Sequence, residues 1–231
     1  FGSSSSLVMR QPLLMLSRRF AATVVPDSKR TQVLLCSPEV NVGKLAGAIA
    51  KRTREEDSCA IDVVGPVASH MALKAIVIAK TYLQDSYAGK ALAVAPQSLQ
   101  RLSGRDGRTV TLRLHVQPVA EVAKRDELDI KVASNTNIGD MAGLIAKTLT
   151  ARDVAMIGSM GPKSTNNALK AIMIAQKYMR ETLTDSHVLS VSSSSERFTD
   201  ENNKERVRLI LACLRTETPS SWVRGKEADS I

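Results

Sequence analysis

Residues 41–51 read NVGKLAGAIAK, and residues 137–147 read NIGDMAGLIAK. The offset of 96 that joins them also carries Gly65-Pro66 onto Gly161-Pro162, and Ala72-Leu73-Lys74-Ala75-Ile76 onto Ala168-Leu169-Lys170-Ala171-Ile172. Between residues 41 and 83, 19 of 43 aligned positions are identical without a gap. A match of that density marks a tandem duplication, and two copies are too few for a solenoid. The 231 residues therefore read as two copies of one small α/β (α+β) module. Repeat 1 covers residues 31–119 and repeat 2 covers residues 128–215; an N-terminal segment (1–30), a linker (120–127) and a C-terminal tail (216–231) surround them.

Hydrophobic periodicity gives the elements of one copy. Residues 32–36 (QVLLC) form a short apolar strand. Asn41 stands where its side chain can cap a first helix over about 42–54, with Val42, Leu45, Ala46, Ile49 and Ala50 on its inward face. Gly43 and Gly47 return as Gly139 and Gly143. A helical glycine costs about 1 kcal/mol against alanine, so the repeated pair predicts a close helix-packing surface. Residues 59–64 form a second strand, Gly65-Pro66 turns the chain, and a second helix runs over about 68–83. Strands over 90–95 and 109–116 complete the copy; in TVTLRLHV, Val110, Leu112, Leu114 and Val116 fall on one face. Repeat 2 follows the same β-α-β-α-β-β order, with strand 129–133, helix 138–150, strand 154–158, helix 165–181 and strands 187–191 and 206–213. The short, charged linker leaves little slack, so the modules are expected to pack as an intramolecular pseudo-dimer.

Composition narrows the function classes. Hydrophobic residues make up 43% of the chain but aromatics only 3%, so the core is built from Ala, Val, Ile and Leu, and base-stacking platforms are few. The formal net charge is +9. Residues 1–30 hold five basic residues against one acidic, while the repeats are mildly basic, at eleven against seven and twelve against nine. That balance is compatible with phosphate binding. Cys36, Cys59 and Cys213 are odd in number and widely spaced, each in an apolar run, so they read as buried thiols rather than a disulfide framework. No stretch reaches the roughly 18 apolar residues that span a bilayer.

Residues 7–30 read LVMRQPLLMLSRRFAATVVPDSKR, with Asp27 the first acidic residue. An Arg-rich, Ser-rich, acid-poor segment is the signature of an organelle transit peptide, and Arg18-Arg19-Phe20 before Ala21-Ala22 resembles a mitochondrial processing site. The expected location is the mitochondrial matrix.

The order β-α-β-α-β-β resembles the Alba fold. A glycine-bearing first helix, a strand ending in Gly and then Ala-Leu-Lys-Ala-Ile-x-Ile-Ala resembles the stage V sporulation protein S family, through residues 42–51 with 61–80 and 138–147 with 157–176. The resemblance implies small, often dimeric, non-catalytic RNA- or DNA-binding modules. Nucleic acid is then held by basic residues near the first helix and by the loop between the last two strands. Carried over by position, these are Lys44 and the loop 100–108, with Arg101, Arg105 and Arg108. In repeat 2 Asp140 stands in place of Lys44, and the loop 192–206 holds Glu196, Asp200, Glu201 and Glu205. Repeat 1 is therefore expected to face nucleic acid, and repeat 2 to be structural or to face a protein.

Lys74 and Lys170 recur in the second helix, as phosphate contacts or as snorkelling helix lysines. Gly161-Pro162-Lys163-Ser164-Thr165 lacks the spacing of a nucleotide-binding loop, although a backbone phosphate could meet Lys163 at that helix start. Tyr82 and Tyr178 recur at the helix end, where repeated packing is expected. His70, His115 and His187 show no metal spacing, and no catalytic constellation recurs in both repeats, so no enzyme, cofactor or metal site is expected. Trp222, the only Trp, lies in a tail that reads as a loose extension or as an anchor for a partner. The functional expectation is a mitochondrial RNA-binding protein, part of a ribonucleoprotein such as the mitochondrial ribosome or an RNA-processing complex. Its partners are then RNA rather than DNA, and other proteins of that particle. A protein-binding scaffold and an organellar DNA-binding protein are the alternatives.

Overall fold

Repeat 1 builds β1 (Leu34–Cys36), α1 (Val42–Glu56), β2 (Cys59–Val63), α2 (Gly65–Tyr82), β3 (Lys90–Ser103) and β4 (Gly107–Ala120). Repeat 2 builds β5 (Ile130–Val132), α3 (Ile138–Ala151), β6 (Val154–Ser159), α4 (Pro162–Tyr178), β7 (His187–Thr199) and β8 (Glu205–Glu217). The computed structural model describes residues 33–103, 107–122, 125, 127–184, 186–200 and 202–222, and the side chains among these except residues 100–110. The expected transit segment, Phe1–Arg30, lies outside the described residues.

All eight strands form one sheet in the order β1-β2-β4-β3-β7-β8-β6-β5. The repeats join at an antiparallel seam, Ala93↔Ser192 and Val94↔Val191. The pseudo-dimer is therefore a single continuous sheet. The two hairpins match at an offset of 97, since Lys90↔Ala120 becomes His187↔Glu217. One extra residue between α4 and β7 accounts for the step from 96.

The helices lie in a row, α1-α2-α4-α3, over one face of the sheet. One buried cluster runs through both repeats, from Leu45, Ile49 and Ile76 to Ile145, Leu169 and Ile172. Each fully buried large aliphatic side chain contributes about 1.5–3 kcal/mol. Ala68, Ala72 and Ala75 of α2 and Ala168, Ala171 and Ala175 of α4 are completely buried. Polar groups near the pseudo-twofold axis pair reciprocally. Ser69 Oγ donates to Asn166 Oδ1 at 3.2 Å, and His70 Nδ1 meets Thr165 Oγ1 at 3.0 Å. Shifting by 96 exchanges these two bonds, so the axis is chemically marked.

Both Gly-Pro turns belong to the helices they open. Gly65 and Gly161 have φ of +83°, a region that L side chains disfavour. The prolines then occupy the first turn, where no N–H is needed. The second helices therefore start three residues earlier than the sequence suggests.

Three further expectations need correction. The glycine pairs do not form a packing surface, because a Cβ added at Gly47 or Gly143 would meet nothing within 4 Å. Tyr82 and Tyr178 end their helices and are 46% and 59% exposed rather than packed away. The segments 100–108 and 192–206 are mostly not loops. β3 and β4 stay paired out to Ser103↔Gly107, and β7 and β8 out to Thr199↔Glu205. Each hairpin thus extends as a two-stranded arm, whose polar residues lack the apolar alternation of a covered strand.

Candidate nucleic-acid interface

The arm of repeat 1 brings Arg101 opposite Thr109 and Arg108 opposite Leu102. Arg105 lies outside the described residues, as do the side chains of Arg101 and Arg108. The arm's charge is read from sequence: residues 98–110 hold three Arg against one Asp.

The arm of repeat 2 neutralises itself. Residues 195–208 hold four acidic residues against four basic. Arg206 Nε donates to Asp200 Oδ2 at 2.9 Å, and Arg208 Nε to Glu196 Oε2 at 2.7 Å. Arg208 also lies over the Phe198 ring, 4.9 Å from its centroid. The backbone N–H of Lys204, the Arg206 guanidinium and the N–H of Asn202 hold the Asp200 carboxyl below the usual carboxylate range. These arginines are committed within the arm, which leaves them poorly placed to meet a phosphate.

The four candidate lysines sit in the helix layer. Lys74 lies midway along α2, and Lys163 and Lys170 lie on α4, so the structure gathers three of them onto the central helix pair. Lys44 stands apart, in the first turn of α1. All four side chains are exposed and form no ion pair with a carboxylate among the described residues. Asn41 Oδ1 caps α1 by accepting from the Lys44 N–H at 3.0 Å, and Asn137 Oδ1 caps α3 by accepting from the N–H of Gly139 at 2.9 Å. A cation in the first turn opposes the helix dipole, whereas Asp140, at the same place in α3, complements it. Lys44 therefore stands where it does not serve the helix.

The other side of the sheet, free of helices, holds a cluster that sequence reasoning missed. Arg113 on β4 grips Asp62 on β2 through two bonds, Nε–Oδ1 at 2.7 Å and Nη2–Oδ2 at 3.0 Å. His115 is completely buried, with Nε2 at 2.9 Å from Gln97 Oε1 and Nδ1 at 2.9 Å from Ser221 Oγ. Burial pushes its imidazole down to about 3, with Arg113 adding to the effect. The chain after β8 covers this cluster. Ser220 Oγ meets Ser58 Oγ at 2.9 Å, and the Trp222 ring lies 5.0 Å from that of His115. Residues 219–222 are thus a strap across repeat 1.

The linker does the same for repeat 2. Val122 and Leu128 pack on Met156, Ile210 and Ala212, and Arg125 Nη2 donates to the Val154 carbonyl at 2.6 Å. At the offsets of the duplication, Asp62, Arg113, His115 and Ser58 become Gly158, Ile210, Ala212 and Val154. The signal was present in β4: its outward-alternating residues Arg113, His115 and Gln117 are polar where β8 has Ile210, Ala212 and Leu214.

His70 is half-buried at the α2–α4 contact, and burial, then Lys74, lowers its pKa. His187 is exposed and meets Thr184 Oγ1 at 2.7 Å. Cys36, Cys59 and Cys213 are free and buried, and burial pushes the thiols of Cys59 and Cys213 up to about 12. Among the described residues there is no group of three or more His, Cys, Asp or Glu able to hold a metal ion, and no helix long and apolar enough to cross a membrane.

No curated protein matches the chain. The family model of stage V sporulation protein S matches it twice, over residues 32–118 and 128–211. The strand and helix order of each repeat agrees with the Alba-like fold of that family, whose members are small nucleic-acid- or protein-binding modules. With both copies matched and most of its length covered, the chain belongs to the stage V sporulation protein S (SpoVS) family as a tandem of two domains.

Proposed function

We propose that the chain is a non-enzymatic RNA-binding protein of the mitochondrial matrix, a component of a ribonucleoprotein such as the mitochondrial ribosome or an RNA-processing complex. The observation that carries the nucleic-acid reading is the asymmetry of the cations. Lys44, Lys74, Lys163 and Lys170 are exposed without carboxylate partners among the described residues, whereas Arg206 and Arg208 of the second arm are tied to Asp200 and Glu196. Unpaired cations are free to displace counterions from a phosphate backbone. The basic arm of repeat 1 adds Arg101, Arg105 and Arg108. The leader, residues 7–30, supports the location.

The test is binding of a fluorescent single-stranded RNA across a salt series. Replacing Arg101, Arg105 and Arg108 together by Ala should weaken binding and flatten the salt slope by about 2, since each lost contact removes about 0.7 on single strands. An unchanged slope refutes the assignment of the arm. A duplex DNA of equal length, run in parallel, should bind more weakly.

The self-neutralised second arm favours an added reading, in which repeat 2 docks a protein of the same particle. Affinity capture followed by nuclease separates the two: partners of repeat 2 survive digestion, and partners bridged by RNA are lost.

A further inference from the structure

The two straps occupy matching places, five residues beyond the ends of their hairpins: Arg125 follows Ala120 as Trp222 follows Glu217. They differ in chemistry and in attachment. The linker is covalently continuous at both ends and seals repeat 2 with the apolar Val122 and Leu128 and the bond from Arg125 to the Val154 carbonyl. The tail follows directly from β8, and its described residues seal repeat 1 through hydrogen bonds and one ring contact.

We propose that the helix-free face of repeat 1 is a peptide-binding site, held here by the chain's own residues 219–222, and that it accepts protein segments presenting two hydroxyls followed by an aromatic ring. The argument begins with repeat 2, where the sheet residues under the linker, Val154, Gly158, Ile210 and Ala212, present no polar side chain. Repeat 1 nonetheless has Ser58, Asp62, Arg113 and His115 in those places, and burying polar groups is costly unless each is matched. Ser58 is matched by the Ser220 hydroxyl at 2.9 Å. Gln97 Oε1 faces His115 Nε2, so that nitrogen holds the proton and Nδ1 accepts from the Ser221 hydroxyl. The ring of Trp222 closes over the imidazole. Asp62 and Arg113 grip one another below, and Gln117 Nε2 donates to the Glu217 carbonyl at 2.7 Å where the strap begins. These groups read a hydroxyl, a hydroxyl donor and a ring in sequence. A strap that belongs to the same chain as its site acts as a tethered competitor, with an effective concentration of order millimolar. The site lies on the side of the sheet away from the candidate lysines and does not depend on RNA binding.

The experiment uses the full chain, with Trp222 as its only tryptophan. The probe is a synthetic peptide of residues 216–224 with Trp222→Phe, raised to millimolar concentration. Displacement of the strap should move Trp222 emission to the red saturably, and a peptide with both serines replaced by Ala should leave it unmoved. In a second arm, the full chain bearing Trp222→Ala, checked for native circular dichroism, is titrated with the fluorescein-labelled native peptide. Binding at least tenfold tighter than to the unsubstituted chain is expected, and adding His115→Phe should abolish that gain. No emission shift, with equal peptide binding by the native and Trp222→Ala chains, would overturn the proposal.

Discussion

Repeats 1 and 2 share most of the buried residues of their helix layer and share little of the other face. Leu73 and Leu169 are both completely buried, as are Ile76 and Ile172. Across the sheet, a bidentate Asp62–Arg113 pair and a buried His115 stand opposite a patch of Gly158, Ile210 and Ala212. At the hairpin tips, a basic arm stands opposite one that ties Arg206 and Arg208 to its own carboxylates. The fold thus depends on the helix side, where a changed volume would disturb one cluster common to both copies. The outer sheet face and the arms have diverged in charge and polarity, which fits two copies that meet different partners.

The largest expected effect comes from breaking the buried pair. Asp62 and Arg113 side chains are only 2% and 12% exposed. Asp62→Ala should cost about 3–5 kcal/mol by stranding a buried guanidinium. Installing repeat 2's residues together, Asp62→Gly with Arg113→Ile, should recover more than half of that in urea unfolding. If the double variant is no better than the single, the faces are not interchangeable.

Repeat 2 should respond to the reverse change through packing. A Cβ at Gly158 would sit 2.5 Å from Leu128 Cδ1. Gly158→Ala should therefore destabilise by about 1–3 kcal/mol, and Leu128→Ala in the same chain should relieve part of the loss in thermal melts.

His115 gives repeat 1 a pH dependence that repeat 2 lacks. Its folded pKa of about 3 lies below the unfolded value, so the folded state favours the neutral ring. That stability is fully present above about pH 6.5, and falls by about 1.4 kcal/mol for each unit of acidification until the folded pKa is reached. His115→Gln should flatten the melting temperature between pH 6.5 and pH 4. A slope unchanged by that substitution would place the dependence elsewhere.

The smallest effect is the most diagnostic for Lys44. Lys44→Asp copies repeat 2 and should stabilise α1 by about 0.3–1 kcal/mol through the helix dipole, while weakening RNA binding. Opposite signs in melting and binding would mark Lys44 as kept for its ligand.

The duplication, the strand order and the caps at Asn41 and Asn137 were legible because local chemistry dictates them. The arms were not, since Ser192, Ser193, Ser194 and Ser195 read as loop until cross-strand pairing is seen. The strap was hidden for a related reason: Ser220 and Trp222 find their partners, Ser58 and His115, more than 100 residues away. Nothing local marks such a contact.

The central claim, that repeat 1 alone carries the phosphate-binding arm, has one direct test. The arms have equal length, since Ser98↔Leu112 corresponds to Ser195↔Leu209, so residues 98–111 and 195–208 can be exchanged without changing register. The measurement is the salt dependence of single-stranded RNA binding by chains carrying either arm twice. Two copies of the first arm should steepen the slope, and two copies of the second should flatten it and weaken binding at least tenfold. Equal slopes in both chains would contradict the account.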